Sequence, residues 1–450
     1  MVTRIVVIGM GYVGIPIAAL LADVDGFDVT GLQRRSKRSG WKIEKLNAGE
    51  SPFEINEPGL GELLSRIVKK GTFRVTDDKE VLRTTDTILV DVQTPTDKSH
   101  VPQYESLREV SADIGERMKK GAMVIVESTV APGTTENLVK PILEHESGYK
   151  CGSDFDLVFS YERVMPGKLI ENIVNLPRVV GGMTPKAAER AREMYSKIVK
   201  APLRTTTALT AELAKTVENA YRDVNIAFAN EMALVCESLG VDVYEVRALV
   251  NELDSRHMHI PGAGVGGHCL PKDTWLLRYG VREYGSTRVE PEFISLARRI
   301  NNHMPIHMAE LVENALETRG RQIRESIVTI LGAAYLEDSD DTRNTPAATL
   351  LSALTKKGAT VRLHDPYVRD WEFSKHEIMR DLVEAATGSD CLVLVTKHRM
   401  YSTLDLDLLK KVMRTPSIVD GRNALDRKVI EEMGFEYRCI GKGGIRPNKR

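Results

Sequence analysis

The chain has 450 residues, of which 42% are apolar and 28% are charged, and this predicts a globular protein of two or three domains. Its formal net charge of −1 provides no field that favours nucleic acid or an anionic membrane surface as a partner. An anionic small-molecule substrate would therefore need basic side chains and helix N-termini placed locally around it.

The cysteines and the N-terminus indicate the cellular setting. The five cysteines are scattered and none forms a C-x-x-C pair, so we expect neither a disulfide framework nor a metal site. The first apolar run stops at Gly9, too early for a signal peptide, and no stretch approaches the roughly 18 apolar residues of a membrane span. The sequence therefore predicts a soluble cytoplasmic protein with no membrane or nucleic-acid partner.

Short β-branched runs alternate with helical patterns over the first third of the chain. We predict a strand at residues 5–8, a helix from 13 to about 22, a strand ending near 32, and further strands at 87–90, 122–126, 157–160 and 177–180. Such alternation is typical of a parallel sheet with helices on both faces. It predicts a doubly wound dinucleotide-binding domain over residues 1–206.

A glycine-rich segment directly follows the first predicted strand and opens the first predicted helix. In this setting glycines let the backbone turn tightly and approach a pyrophosphate, which the helix N-terminus attracts. The alternative is a turn that needs small residues for packing alone. The predicted cofactor contacts are Gly9, Gly11, Tyr12, Val13 and Gly14.

The ribose position departs from the usual pattern, which has an acidic residue about 20 residues further on. The corresponding segment reads Gln33, Arg34, Arg35, with no carboxylate for the ribose hydroxyls. Two guanidiniums could hold the 2′-phosphate of NADP. Alternatively, Gln33 binds the plain ribose of NAD and the basic turn is merely solvated. Both alternatives stay open.

Beyond residue 207 apolar residues recur at three- and four-residue spacing, and the pattern continues to Gly240. A helix of more than 30 residues commonly spans domains or forms a subunit interface, so we expect a homodimer or higher homo-oligomer and a helical dimerisation domain over 207–318. The predicted apolar stripe consists of Leu209, Leu213, Val217, Ala220, Val224 and Phe228.

On the same helix, Lys215 and Asn219 are four residues apart and therefore share a face. An ammonium and an amide together suit the stabilisation of a developing oxyanion, although such a pair is also typical of a solvated helix face.

The segment 261–273 carries the residue most indicative of chemistry. A glycine-rich loop delivers Cys269 to a predicted helix start, with Pro271 near the first turn. A thiol there feels the positive end of the helix dipole and the nearby Lys272, which favours the nucleophilic thiolate. Asp273 lies four residues on, as a candidate orienting group or proton partner. The alternative is a buried structural cysteine.

A second α/β alternation begins near residue 326, with strands predicted at 327–331, 360–363, 391–395 and 417–419 and a helix at 345–356. The predicted fold is therefore α/β: two Rossmann-like doubly wound domains joined by a long central helix and a helical dimerisation core. The third domain would cover 319–450.

Ordered motifs along the chain resemble the UDP-glucose/GDP-mannose dehydrogenase family, and within it the branch acting on UDP-N-acetylhexosamines. They are TPT at 94–96, ESTVAPGTT at 127–135, ERVMPG at 162–167, AELAKTVEN at 211–219, RDVN at 222–225, GGHC at 266–269, ARRIN at 297–301 and DTR at 341–343. The resemblance covers nearly the whole chain. It implies an N-terminal NAD domain, a dimerisation core and a C-terminal UDP-binding domain.

The resemblance also implies the reaction: four-electron oxidation of a UDP-sugar to its uronic acid, with Cys269 carrying a thiohemiacetal and then a thioester. UDP-N-acetyl-D-mannosamine is the favoured substrate and UDP-N-acetylglucosamine the alternative. Glu162, Thr129 and Asp273 would handle protons and water, while Lys215 and Asn219 would bind the oxygen that gains charge.

The resemblance further implies the ligand contacts. Arg256 would reach a neighbouring subunit's substrate, and Arg422 would contact the diphosphate. Further cofactor contacts would be Thr94, Pro95 and Thr129. The substrate contacts would be Glu162, Arg163, Lys168, Lys215, Asn219, Arg222, Arg256, Gly264, Gly266, Arg343 and Arg422.

Two positions depart from the family pattern. Gln33 stands where an acidic residue is usual, and Leu336 stands where lysine is usual, so that Lys168 or Arg343 would have to compensate. Rival interpretations are a UDP-glucose dehydrogenase, a simple two-electron Rossmann dehydrogenase, and a non-catalytic dinucleotide- or sugar-binding homologue. The number of nicotinamides reduced per sugar separates the four-electron enzymes from the last two.

Overall fold

The computed structural model describes residues 2–37, 39–53, 57–369, 371 and 376–443. The chain divides into two compact units. The N-terminal unit comprises Met1–Glu218 and Trp275–Glu290, and the C-terminal unit comprises Asn219–Thr274 and Pro291–Arg450. The three-domain division at residues 206 and 318 stays a prediction.

The N-terminal unit contains an eight-stranded sheet with the order β3-β2-β1-β4-β5-β6-β7-β8. All neighbouring strands are parallel except β6 and β7, which are antiparallel. The strands are β1 (Thr3–Ile8), β2 (Phe27–Leu32), β3 (Phe73–Thr76), β4 (Thr87–Val90), β5 (Met123–Val126), β6 (Asp156–Phe159), β7 (Arg178–Gly182) and β8 (Leu203–Thr207).

The C-terminal unit contains a six-stranded, entirely parallel sheet with the order β11-β10-β9-β12-β13-β14. Its strands are β9 (Ile327–Leu331), β10 (Thr360–His364), β11 (Ile378–Met379), β12 (Cys391–Leu394), β13 (Ser417–Asp420) and β14 (Glu436–Cys439).

Helices surround both sheets. They are α1 (Gly14–Asp23), α2 (Trp41–Asn47), α3 (Leu60–Lys70), α4 (Glu105–Arg117), α5 (Lys140–Ser147), α6 (Leu169–Asn175), α7 (Pro185–Tyr195), α8 (Ala208–Leu239), α9 (Val243–Asn251), α10 (Leu270–Tyr284), α11 (Glu292–Thr318), α12 (Pro346–Lys356), α13 (Leu382–Ala386), α14 (Leu406–Val412) and α15 (Arg427–Glu432). Thr135–Val139 forms a π-helical turn before α5, and short 3₁₀ helices cover Lys79–Thr84, Ile323–Glu325 and Arg399–Thr403.

Alternation along β1 shows why helices cover both faces of the first sheet. Ile5 and Val7 belong to one hydrophobic cluster, whereas Val6 and Ile8 belong to another. Successive side chains of a strand point to opposite faces, so a run that is apolar throughout is buried on both sides. The prediction of two doubly wound, mainly parallel sheets is confirmed.

The predicted long helix is confirmed as α8, which has 32 residues. The predicted apolar stripe divides between two environments: Ala220 is buried and Val224 half-buried, whereas its other four members are exposed. The exposed large apolar side chains on α8 are Leu209, Leu213, Val217, Tyr221, Phe228, Val235 and Leu239. Within the described residues, no helix is both long and apolar enough to cross a membrane.

Candidate active site

The turn between β1 and α1 is shaped for close approach by a ligand. Gly9 has a φ of +101°, and a Cβ there would lie 2.4 Å from the Asp91 carbonyl oxygen. A Cβ on Gly14 would lie 2.0 Å from the Gly9 oxygen, whereas one on Gly11 would meet none of the described residues within 4 Å. The turn is therefore packed against the protein at Gly9 and Gly14, whereas Gly11 leaves room for a ligand. This arrangement fits the pyrophosphate of a dinucleotide at the N-terminus of α1.

The strand order reverses between β1 and β4, so that the carboxyl ends of these strands form the usual ligand-binding crevice of such sheets. The loops after β4 and β5 meet there, because the Thr94 hydroxyl donates to the Thr129 carbonyl oxygen over 2.6 Å. Pro95 is exposed and Thr129 half-buried beside this contact. Tyr12 stacks on Phe53, which the sequence did not indicate, with ring centroids 4.5 Å apart.

Hydrogen bonds and ion pairs within the N-terminal unit hold the turn after β2. The Gln33 carboxamide accepts from the Met10 amide over 3.0 Å and donates to the Ser39 hydroxyl over 3.0 Å. Arg35 is paired with two carboxylates, Glu44 at 2.7 Å and Asp77 at 3.0 Å.

Arg34, by contrast, is largely exposed and lies 3.6 Å from Glu109. The two arginines of this turn are therefore not equivalent. The charge of Arg35 is balanced by two neighbouring carboxylates, whereas Arg34 is exposed and has a longer contact with its carboxylate partner.

A buried polar cluster lies at the ends of β4, β5 and β7, and the sequence analysis missed it. Glu127 accepts hydrogen bonds from Arg178 and, over 2.6 Å, from the Tyr195 hydroxyl. Burial, together with the neighbouring Glu127, raises the pKa of Asp91 well above its usual range. The available signal was that Asp91 and Glu127 each directly follow a strand that is buried throughout.

A second group in the N-terminal unit contains Glu162 and Lys215. The Lys215 ammonium is buried, donates to the Glu162 carbonyl oxygen over 2.8 Å and lies 3.9 Å from the Glu162 carboxylate. Arg163 binds both carboxylate oxygens of Glu218 and donates to the Tyr161 hydroxyl over 2.9 Å. Arg163 is thus paired with Glu218. Glu162 and Lys215 form a separate pair of an acidic and a basic side chain.

In the C-terminal unit, Cys269 is exposed and immediately precedes α10. Its carbonyl accepts from the amides of Lys272 and Asp273 at 3.0 and 2.8 Å, so it opens the first turn of the helix. The prediction that this cysteine lies at a helix start is confirmed. The alternative of a buried structural cysteine is wrong.

We call residues 261–269 the cysteine loop. Its glycines are required by close packing: a Cβ on Gly264 would lie 3.0 Å from Pro305, and one on Gly266 would lie 2.4 Å from the Tyr335 Cβ. The Gly267 amide donates to the Arg343 carbonyl oxygen over 2.8 Å. This packing accounts for Gly264 and Gly266 without a ligand, so their predicted substrate contacts stay predictions.

The first turn of α10 carries a buried polar group. The Asn219 amide donates to the Asp273 carboxylate over 2.6 Å, and the Lys272 ammonium lies 3.0 Å from the other carboxylate oxygen. Burial, with Lys272 and Arg343 nearby, lowers the pKa of His268 to about 4, so this imidazole is neutral near pH 7. Asn219 and Asp273, selected separately from the sequence, are therefore direct partners.

Two predicted substrate-binding arginines of the C-terminal unit, Arg343 and Arg422, have carboxylate partners. Arg343 donates to both oxygens of Asp341, with its Nε at 2.9 and 3.1 Å, and this pairing raises its pKa. Arg422 makes a single, longer contact with the exposed Glu337 at 3.3 Å. A single exposed contact is easily displaced by an anion, whereas a bidentate one is not.

The remaining predicted substrate residues lie at the surface. Arg222, Arg256 and Lys168 are exposed, and Lys168 lies 4.0 Å from Glu171. Leu336 is half-buried in the loop after β9. Among the described residues, no group of three histidines, cysteines or acidic residues could hold a metal ion.

Comparison with known proteins gives the family. Three models of the UDP-glucose/GDP-mannose dehydrogenase family match: the NAD binding domain at residues 3–199, the central domain at 209–303 and the UDP binding domain at 329–427. The chain belongs to this family.

Three relatives cover nearly the whole chain. A UDP-N-acetyl-D-mannosamine dehydrogenase of Pyrococcus horikoshii is 39% identical over 98% of this chain and 100% of its own length. The crystal structure of an NDP-N-acetyl-D-galactosaminuronic acid dehydrogenase from Methanosarcina mazei Go1 is 42% identical, covers 98% and 96% of the two chains, and has a TM-score of 0.90. A UDP-glucose dehydrogenase structure from Pyrobaculum islandicum is 27% identical, with a TM-score of 0.84 over 99% and 98%.

The predicted family resemblance is therefore confirmed. The protein is a nucleotide-sugar dehydrogenase, an oxidoreductase with a nicotinamide-binding domain and a UDP-binding domain. The open turn at Gly11 is the structural feature of the first domain that fits the cofactor.

Proposed function

We propose that the protein oxidises the 6-hydroxymethyl group of a UDP-N-acetylhexosamine to a carboxylate, with Cys269 as the nucleophile. The observation that carries the proposal is an exposed thiol at the end of a tightly packed glycine loop, at the first turn of a 15-residue helix. A helix N-terminus stabilises a thiolate, and the exposed position admits a carbonyl carbon.

Conversion of an alcohol to an acid removes four electrons, and a nicotinamide supplies the hydride acceptor for each two-electron oxidation. The Cys269 thiolate adds to the carbon of the aldehyde formed first, giving a thiohemiacetal. Its oxidation leaves a thioester, and water cleaves that thioester to a carboxylate and the free thiol. The covalent bond retains the aldehyde between the two oxidations.

The remaining catalytic roles follow from the charges that develop. Lys215 and Asn219 would donate to the substrate oxygen that gains negative charge. Asp273 accepts from Asn219 and would hold that amide in place, next to the thiol. Glu162 and Thr129 would position the hydrolytic water and take its proton.

For the nucleotide, we assign the diphosphate to Arg422. Among the described residues its guanidinium has one carboxylate partner, the exposed Glu337, which an incoming diphosphate can replace. Both carboxylate oxygens of Asp341 accept hydrogen bonds from Arg343 and balance its positive charge. Arg343 would therefore offer the nucleotide the remaining N–H groups of its guanidinium rather than an unbalanced charge. Arg222, Lys168, Arg163 and, from a neighbouring subunit, Arg256 would complete the contacts.

We propose NAD as the cofactor. The Gln33 carboxamide is engaged by the dinucleotide turn and by Ser39, and Arg35 is neutralised by Glu44 and Asp77. Of Arg34 and Arg35, only Arg34 would thus offer a 2′-phosphate a cation that is not tightly paired. NADP stays the alternative.

Among the sugars, we propose UDP-N-acetyl-D-mannosamine, because the Pyrococcus horikoshii relative carries that name over its whole length. The Methanosarcina mazei Go1 relative is named for a galactosamine-type uronic acid, so the corresponding UDP-N-acetylgalactosamine is a second candidate. We also propose a homodimer or higher homo-oligomer, since α8 exposes seven large apolar side chains.

The test is a panel of UDP-sugars offered to the wild type and to Cys269→Ala. We expect the wild type to form uronic acid from UDP-N-acetyl-D-mannosamine, and Cys269→Ala to form none beyond traces of aldehyde. Cys439→Ala is the matched control, because Cys439 is buried. Wild-type rates of uronate formation by Cys269→Ala would overturn the covalent mechanism.

A further inference from the structure

A chain of buried polar side chains connects α8 and α11 with the cysteine loop. The Arg298 guanidinium and the Asp223 carboxylate form an ion pair at 2.7 Å, and neither side chain is more than 1% exposed. Asn301 donates to the carboxylate and the carbonyl oxygen of Asp223 at 2.8 and 2.9 Å. Asn230 donates to Asn301 over 2.8 Å, and the Gly262 amide donates to Asn230 over 2.9 Å.

The direction of every hydrogen bond in this series of side chains is determined by the groups at its two ends, the Gly262 amide and Asp223. The Gly262 amide can only donate, so the Asn230 oxygen must face it and the Asn230 nitrogen must face Asn301. At the other end, the Asp223 backbone carbonyl can only accept, and the Asp223 carboxylate accepts beside it, so the Asn301 nitrogen must face Asp223. Both carboxamides are therefore held in one orientation.

The charge itself is costly to bury. Burial raises the pKa of Asp223 and lowers that of Arg298. Within the described residues, Asp223 Oδ2 and Arg298 Nη2 are buried without a hydrogen-bond partner. An ion pair of this kind contributes little net stability, so its effect is better sought in the orientation that it imposes.

Besides its close packing at Gly264 and Gly266, the cysteine loop is held by hydrogen bonds at Gly262 and at a second position. The second position is Gly267, whose amide donates to Arg343 and whose carbonyl oxygen accepts from Asn344 over 3.0 Å. A Cβ on Gly262 would lie 3.1 Å from the Arg422 guanidinium, so the loop passes Arg422 at this point. Release of Gly262 would remove the hydrogen bond nearest the start of the loop.

We propose that Asn230 is a positioning residue for the reaction: its carboxamide, oriented by Asp223 through Asn301, fixes the cysteine loop at Gly262 and thereby the location of the Cys269 sulfur. This inference rests on the proposed function of Cys269. A nucleophile displaced by about 1 Å can lose about 100-fold in rate, so the hydrogen bond acts on catalysis although it lies away from the substrate.

The experiment compares Asn230→Ala, Asn301→Ala and the double variant with the wild type. Asn314→Ala is the matched control, because it removes an exposed amide from the same helix as Asn301. For each we measure kcat and KM for the UDP-sugar, the unfolding transition, and deuterium exchange over residues 261–269.

We expect Asn230→Ala to lower kcat about 10- to 100-fold with a much smaller change in KM, and to raise exchange over residues 261–269. Because Asn230 and Asn301 act as one unit, the double variant should lose no more than the worse single variant. Asn314→Ala should match the wild type. A kcat of folded Asn230→Ala within twofold of the wild type, or losses that multiply in the double variant, would contradict the proposal.

Asn230→Asp provides a second comparison if Asn230→Ala does not fold. It keeps an acceptor for the Gly262 amide and replaces the donor toward Asn301 by a carboxyl oxygen, so exchange over the loop should stay low and kcat should exceed that of Asn301→Ala. A low kcat with a protected loop would overturn the positioning role. A wild type that oxidises no UDP-sugar would instead reject the proposed function, and the exchange measurements would still test the attachment of the loop.

Discussion

At the scale of single residues, the site is organised by which cations already have carboxylate partners. Arg35 pairs with two carboxylates, and Arg163 and Arg343 each bind both oxygens of one carboxylate. Arg34 and Arg422, by contrast, each have one longer carboxylate contact. The sequence selected all five arginines as ligand-binding groups, without distinguishing their existing partners. The structure divides them into residues with two or more carboxylate contacts and residues with one longer contact.

The cofactor prediction follows from this division. We expect NAD+ to be preferred, and Arg34→Ala combined with Arg35→Ala to change the preference for NAD+ over NADP+ by less than about fivefold, because exposed pairs contribute at most about 1 kcal/mol. Steady-state kinetics with both cofactors measure this. Arg74→Ala, which removes another exposed arginine of the same sheet, is the control. Efficient NADP+ use that the double variant abolishes would assign the 2′-phosphate to these arginines.

The lowered pKa of His268 predicts an acid sensitivity. Its pKa falls from 6.5 to about 4 on folding, mainly through burial, so between these values the unfolded chain binds more protons and stability is lost as the pH falls. At pH 5 the resulting loss in the free energy of unfolding is about 2 kcal/mol.

His268→Gln should therefore lose less unfolding free energy than the wild type between pH 7 and pH 5. Denaturant unfolding at the two pH values measures the difference. His145→Gln, at an exposed position, should behave as the wild type. Identical pH dependence in His268→Gln and the wild type would show that His268 titrates normally.

A feature of the site could be predicted from the sequence when its residues are close together along the chain. The glycine turn and the cysteine at a helix start are local patterns, and both were predicted correctly. The Asp91–Glu127–Arg178–Tyr195 cluster was missed because its hydrogen bonds join residues 51 and 68 positions apart. The same holds for Asn230 and Asn301, which are 71 positions apart.

At the scale of secondary structure, strands buried on both faces were predicted and edge or exposed strands were not. The central strands β1, β4, β5, β9 and β12 are continuous apolar runs, which carry a strong signal. The strands β3, β8, β11 and β14 escaped prediction because they are short or partly exposed, so their residues lack that pattern. The antiparallel pairing of β6 with β7 depends on the path of the chain between them, which periodicity does not encode.

The exposed apolar side of α8 predicts self-association. We expect the wild type to sediment at twice the chain mass or a multiple of it, and Phe228→Asp to sediment as a monomer, because the charge would otherwise be buried unpaired at the subunit contact. Val429→Asp, an equally exposed apolar position on α15, is the matched control. An active wild-type monomer, or a Phe228→Asp variant that keeps the wild-type mass, would contradict this use of α8.

At the scale of the whole molecule, the chain has a nicotinamide-binding sheet with a glycine turn and a second sheet assigned to UDP binding. The residues attributed to chemistry are carried by α8 and by the start of α10, where Lys215, Asn219, Cys269 and Asp273 lie. Simple two-electron dehydrogenases need no nucleophilic thiol. The exposed Cys269 is therefore the feature on which the proposed four-electron reaction depends.

The central claim is most directly tested by counting nicotinamides reduced per molecule of UDP-N-acetyl-D-mannosamine consumed, with the uronic acid quantified in the same reaction. Retention of the aldehyde on Cys269 predicts two reduced nicotinamides and one uronic acid per sugar, without free aldehyde. A ratio of one, with aldehyde accumulating in solution, would contradict the covalent four-electron mechanism.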